Sequence, residues 1–343
     1  MFAVSLERHF LRCGYQILCT FAALNPDMMT KSFRRISVLS LLLSAVLCVY
    51  AQQPGVSVRS GIPYVTAQFP GQDKMQKLCF DFYEPAGEAD TLRPLVITLF
   101  GGGFVAGARD WADMEAWCNR FAENGYAAAS IDYRLMPAKN FSSKGLIRTG
   151  FMSAQDVSAA VRFFKANSAE YHIDTNRIFL LGESAGAVAV IHMLYMDEDE
   201  RPAETFEEPE LPPLHSSGTP EMRKYTSGVA GAVLLWGCIF DPNMMDADEV
   251  TPVCFIHGAK DRILPADSGY AFSTPGLPYA YGSETMAKRL QKLGTVPFEL
   301  HLKEQEGHAF YFKYLSMFQL DALKFDNCFQ MALDFFNRQQ RKS

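Results

Sequence analysis

Between residues 77 and 340 the apolar positions fall into short compact runs separated by longer amphipathic stretches. "KLCFDFYEP" (77–85) alternates as an antiparallel edge strand does, whereas "PLVITLF" (94–100) and "YAAASIDY" (126–133) are unbroken apolar runs suited to strands covered on both faces. Between the last two, "WADMEAWCNRFAENG" predicts a helix with Asp110 as N-cap and Gly125 just past its end. The rhythm continues with a helix around Ala154, Val157, Val161 and Phe164, the strand "RIFLLG" (177–182), and a helix from Ser184 to about Met196. Then come the strands "VAGAVLLWG" (229–237) and "PVCFIHG" (252–258), a helix near 284–293, the strand "PFELHLK" (297–303) and a closing helix near 320–336. Strands alternating with helices predict an α/β protein with a mostly parallel sheet.

Two segments break the rhythm. Residues 197–226 hold five prolines, and within them residues 197–210 carry eight acids against Arg201 alone. This composition predicts a solvated insertion, an acidic loop or cap at the rim of the sheet. The second segment, 262–283, is a long loop rich in tyrosine. Neither reads as a separate domain, so residues 52–343 are expected to form one domain interrupted at about 197–226.

The start of the chain reads as an address. Lys31, Arg34 and Arg35 precede the apolar "ISVLSLLLSAVLCVYA", which ends in Val49-Tyr50-Ala51, the pattern of a secretory signal cleaved after Ala51. Residues 1–28 are then expected to be an extension ahead of a true start at Met28 or Met29. The apolar run is short of the ~20 residues that span a bilayer, so no stable membrane anchor is expected. Cys48 admits a lipid-attached alternative, against which the bulky Leu47 stands. Export predicts a secreted or periplasmic protein that keeps Cys79, Cys118, Cys238, Cys254 and Cys328, whose spacings match no zinc pattern. The formal net charge of −6 argues against a nucleic-acid partner and favours a small molecule.

The chemistry lies in "LLGESAGAVAV" (180–190), where Gly182-Glu183-Ser184-Ala185-Gly186 joins a predicted strand to a predicted helix. Glycines around a serine in that context permit a tight turn that holds the hydroxyl above the sheet edge. A serine needs a base, and the base an orienting acid. "PVCFIHGAKDRILP" places Asp261 just past one strand and "PFELHLKEQEGHAFY" places His308 just past the last, in the chain order expected of this sheet type. Asp241 is the fallback acid, while His172, His192, His215, His257 and His301 read as structural or surface residues. "PLVITLFGGGFVAG" supplies donors for an oxyanion: the amides of Gly102 and Gly103, joined by that of Ala185. The same glycines, with Asp132 ending the next strand, mimic a dinucleotide-binding fingerprint. The late helix start near Trp111 argues against that alternative.

Together these residues resemble the α/β-hydrolase superfamily, in particular carboxylesterases similar to hormone-sensitive lipase. The matching pieces are "GGGF" (101–104), "SIDYRLMP" (130–137), "DTNRIFLLGESAG" (174–186), "HGAKDRILP" (257–265) and "EGHAF" (306–310). The resemblance implies an α/β-hydrolase fold with an eight-stranded, mostly parallel sheet flanked by helices. It also implies no cofactor and no metal, and ester hydrolysis through an acyl-enzyme with Ser184, Asp261 and His308 as nucleophile, acid and base. Asp132, Tyr133 and Arg134 match a segment that supports the glycine loop. Phe100 stands where that family usually has histidine. The expected function is a secreted carboxylesterase for short-chain or aromatic esters, including acyl groups on saccharides; a serine peptidase, a lipase and a non-catalytic binding protein on the same scaffold are the rivals. The acidic insertion near the site would repel anionic lipid. Tyr270, Phe272, Tyr279, Tyr281, Phe310, Tyr311 and Phe312 are the candidate aromatic lining.

Overall fold

Runs with no polar position become strands with no exposed face. In the computed structural model, which describes residues 55–72, 75–87, 91–248, 250–313 and 319–341, the strands are β1 (Val56–Gln68), β2 (Met75–Pro85), β3 (Arg93–Leu99), β4 (Ala127–Ile131), β5 (Ile173–Glu183), β6 (Gly231–Leu235), β7 (Cys238–Ile239), β8 (Val253–Gly258), β9 (Ser268–Tyr270), β10 (Tyr279–Gly282) and β11 (Phe298–Lys303). Every residue of β4, β6 and β8 is buried, as a sheet covered on both sides requires. Eight strands form one sheet in the order β1-β2-β4-β3-β5-β6-β8-β11. The pairs β1/β2 and β2/β4 are antiparallel, and all later neighbours run parallel. The expected signal segment and its cleavage point at Ala51 lie outside the described residues; the described residues from 55 onward form one compact unit.

Two expectations at the front of the sheet are corrected. The run 77–85 lies within β2, which is an inner strand; the edge is β1, in a stretch whose pattern had suggested no element. Register shifts between Arg59 and Ile62 and between Pro63 and Val65 break its two-residue period, which is what a pattern search relies on. The first helix, α1 (Ala112–Glu123), has Trp111 rather than Asp110 at its N-cap, with no side-chain cap bond. Asp113 and Glu115 place negative charge in its first turn, where the exposed amides favour it.

The remaining helices follow the apolar periodicity closely: α2 (Ser143–Ala166), α3 (Ala185–Tyr195), α4 (Ser283–Leu293) and α5 (Ala322–Gln340). The Ser142 hydroxyl caps α2 by accepting from the Gly145 amide at 3.0 Å. α1 packs with α5 through Trp117 and Phe121 against Phe325, Phe329 and Phe336. α2 packs along α3.

The acidic insertion is strapped along α2, and none of its residues lines the pocket at the strand ends. Arg148 donates to the carbonyls of Glu207 (3.0 Å) and Pro209 (2.5 Å), Gln155 to that of Pro212 (2.5 Å) and Arg162 to that of His215 (2.7 Å). These α2 side chains satisfy carbonyls in the irregular stretch between the short 3₁₀ turns Ala203–Thr205 and Met222–Lys224. Cys79, Cys118, Cys238, Cys254 and Cys328 are all free thiols. Among the described residues no helix is long and apolar enough to cross a membrane.

Candidate active site

Parallel strands end on a common edge, and the loops that leave it meet there. Ser184 sits where β5 hands over to α3, with φ 51° and ψ −120°, a region that side chains normally avoid. Its amide is held by the Leu235 carbonyl at 2.9 Å, which ties the strained turn to β6. The helix can follow at once because position 186 is glycine. A Cβ there would stand 2.5 Å from the Leu99 carbonyl oxygen and 2.6 Å from that of Phe100, both backbone atoms that cannot retreat.

Ser184 Oγ lies 2.8 Å from His308 Nε2, and His308 Nδ1 lies 2.6 Å from Asp261 Oδ2. An ionised carboxylate only accepts, so Nδ1 carries the proton and the Nε2 lone pair faces the serine hydroxyl. Asp261 Oδ1 accepts from the amides of Ile263 (2.8 Å) and Leu264 (3.0 Å). Burial by itself would raise the Asp261 carboxyl, but hydrogen bonds from His257 and His308 outweigh it and hold the carboxyl at about 2. His257, set aside by sequence as structural, is the second support of this acid. Its Nε2 lies 3.2 Å from Asp261 Oδ2 and 2.9 Å from the Leu264 carbonyl, while Nδ1 meets Ser283 Oγ at 2.8 Å. The available signal was the four-residue spacing in "HGAKD". Asp241, the fallback acid, is exposed and caps the turn Pro242–Met244 by accepting from the Asn243 amide.

Gly101, Gly102 and Gly103 line the same pocket as Ser184 and Ala185. Gly102 has φ 121°, and a Cβ on it would stand 2.1 Å from the Ala106 carbonyl oxygen. The loop therefore tolerates no side chain at Gly102, beside the serine. Phe100, in the position of the expected histidine, holds the loop by packing: its ring stacks on Tyr133 with centroids 4.4 Å apart, and the Tyr133 hydroxyl donates to the Phe100 carbonyl at 2.7 Å. The Met136 amide donates to the Phe104 carbonyl at 2.8 Å, so "SIDYRLMP" braces the glycine loop from behind. Arg134 is buried against Asp156 at 2.8 Å. Asp132, the mimic of a ribose-binding acid, is taken up by Arg109 at 2.8 Å and by the Cys79 amide at 3.1 Å.

The pocket has a volume of about 340 Å³. Its walls are apolar, from Phe104, Phe141, Leu146, Phe240, Phe272 and Phe312 among others. Of the expected aromatic lining, Phe272 and Phe312 are present. Tyr270 and Tyr279 are exposed in a small sheet of β7, β10 and β9, Phe310 packs on Trp236, and Tyr311 is buried beneath Glu183. The sequence could not sort these aromatics because an outward and an inward tyrosine look alike in a loop without period. Glu183 and Asp113, both buried, also reach this pocket.

A family model described as BD-FAE matches residues 80–210. A probable isoprenylcysteine alpha-carbonyl methylesterase of Oryza sativa subsp. japonica is 33% identical over 130 residues, covering 37% of this chain and 28% of the rice protein. The isoprenylcysteine alpha-carbonyl methylesterase of Arabidopsis thaliana is 24% identical over 227 residues, 56% of this chain and 48% of its own length. The chain thus spans half or less of these curated relatives. Among solved structures, a butyrate-bound thermophilic esterase from Thermogutta terrifontis superposes with a TM-score of 0.57 at 19% identity, over 84% of this chain and 95% of that one. This likeness shows the fold: an eight-stranded, mostly parallel sheet flanked by helices, shared with that esterase.

Proposed function

We propose that the protein is a carboxylic ester hydrolase working through an acyl-enzyme on Ser184. The observation that carries this reading is the unbroken chain Ser184 Oγ, His308, Asp261, with bonds of 2.8 and 2.6 Å, opening into an apolar pocket beside a side-chain-free glycine loop. His308 takes the serine proton as Oγ attacks the ester carbonyl. Asp261, ionised at any working pH, stabilises the imidazolium that forms. The amides of Gly102, Gly103 and Ala185 receive the oxyanion. His308 then protonates the leaving alcohol, and water repeats the sequence to release the acid.

The pocket supports a small apolar acyl group, short-chain or aromatic: a volume of about 340 Å³ is at the lower end for ligand sites, and its walls offer little to a charged acyl chain. The match to the BD-FAE model supports acetyl or feruloyl groups on saccharides as the ester class. The acidic insertion adds no residue to the pocket lining, so the support for this class comes from the apolar walls and not from its charge. Kinship with carboxylesterases similar to hormone-sensitive lipase rests on the five sequence pieces alone, and secretion after cleavage at Ala51 on the leader pattern alone. N-terminal sequencing of protein from the native host should read from Gln52.

The test is labelling with a fluorophosphonate, followed by kcat/KM for p-nitrophenyl acetate, butyrate, decanoate and palmitate and for acetylated and feruloylated oligosaccharides. Wild type should label and Ser184→Ala should not, with a maximum at butyrate or shorter. Equal labelling of both proteins would overturn the nucleophile; a maximum at decanoate or beyond would make the protein a lipase.

A further inference from the structure

Two carboxyl groups with no basic partner among the described residues lie buried next to the serine. Glu183, the residue before Ser184, and Asp113, in the first turn of α1, are 2% and 1% exposed. Among the described residues no N–H or hydroxyl donor reaches either oxygen of Asp113, and its side-chain neighbour is the Glu183 carboxyl. Glu183 in turn accepts from the Tyr311 hydroxyl and lies against the backbone of Gly101. The Tyr311 hydroxyl accepts from Trp117 Nε1 at 3.1 Å. Trp117 and Asp113 are one turn apart on α1 and share a face. The donors run in one direction, Trp117 N–H to Tyr311 and Tyr311 O–H to Glu183, and a proton on Glu183 would continue them to Asp113, which α1 joins back to Trp117.

The ring ties together the three parts of the site. Glu183 belongs to the serine turn, Gly101 opens the glycine loop, and Tyr311 lies three residues past His308. We propose that Asp113, Glu183, Tyr311 and Trp117 form a positioning ring, closed by one proton shared between the two carboxyls, that sets the spacing of Ser184, His308 and the glycine loop. Two adjacent anions cannot both persist in a dry interior, so one proton must remain between them. Burial and the Asp113 charge push the Glu183 carboxyl well above the usual range, which assigns the proton to Glu183. The other titratable groups facing the pair are Tyr133, Tyr311, Cys118 and Cys328, all raised by burial and all neutral near pH 7. Loss of the proton at alkaline pH would leave two anions face to face and open the ring. This inference rests on the proposed hydrolase reading for its kinetic signature but not for its chemical one.

Glu183→Gln copies the protonated acid, with an amide N–H for Asp113 and a carbonyl for Tyr311, and cannot ionise. It should keep kcat within about fivefold and lose the alkaline limb of the pH profile, whereas Asp113→Leu should cost about 10–100-fold in kcat with little change in KM. Tyr311→Phe should fall between them. A Glu183→Gln enzyme as impaired as Asp113→Leu, or one with the wild-type alkaline limb, would overturn the proposal. An activity-independent readout is the infrared C=O stretch of a protonated carboxyl at pH 7, measured on wild type and on Ser184→Ala. The band should be present in both and absent from Glu183→Gln. Its absence from wild type refutes the ring even if hydrolysis is detected. Its presence together with failed fluorophosphonate labelling supports the ring and refutes the hydrolase.

Discussion

Replacing Asp261 by asparagine separates what its charge does from what its shape does. The side chain keeps its volume, and an amide oxygen can still accept from the Ile263 and Leu264 amides. What changes is the edge facing His308 Nδ1, now 2.6 Å from a carboxylate oxygen. An amide N–H there would donate to Nδ1, moving the imidazole proton to Nε2 and leaving Ser184 without a base. A carboxylate-to-amide change in a comparable triad lowers kcat about 10⁴-fold, and we expect about 10³–10⁴-fold here. The stability cost follows from the carboxyl's fall from an ordinary 3.8 to about 2, worth about 2 kcal/mol in favour of the charged form. The folded value is the lower one, so this stabilisation is present above about pH 4 and is lost as pH falls toward 2. The gap in denaturant stability between wild type and Asp261→Asn should be about 2 kcal/mol at pH 7 and close between pH 4 and 2. The assays are p-nitrophenyl butyrate hydrolysis and urea unfolding across that range. A kcat within tenfold of wild type, or a stability gap that does not change with pH, would refute the reasoning.

Two further outcomes follow from the packing around the site. Asp156→Ala should destabilise the fold by about 3–5 kcal/mol, because it strands the Arg134 guanidinium in a position where the pair is 5% and 0% exposed; urea unfolding measures it. Gly186→Ala should cost about 1–3 kcal/mol or more and slow fluorophosphonate labelling, since its Cβ would push α3 away from the end of β3 and so move Ser184 off the glycine loop.

The α/β class and the order of its elements were legible because β3, β4, β6 and β8 are buried on both faces, which leaves an apolar run with no polar break. Ser184, Asp261 and His308 could be singled out because each lies just past a strand, buried for the first two and the half-exposed edge strand β11 for His308, and the structure brings the three into hydrogen-bond contact. β1 escaped notice because its register shifts erase the alternation, and the hold of α2 on the acidic insertion was not legible because composition says that a loop is solvated but not which helix holds it.

The sequence by itself determined the inner strands of the sheet and the long helices, since burial of a face writes a period into neighbouring residues. It also determined the residue types available at the strand ends. Only the tertiary structure decided the partnerships between distant side chains: His257 behind Asp261, Phe100 on Tyr133 where a histidine was expected, and Glu183 between Asp113 and Tyr311, 128 residues away. Such contacts are set by strand order and by the rotation of α1 against the sheet edge. Neither quantity leaves a periodic trace in the chain, because each contact joins single positions rather than repeating faces.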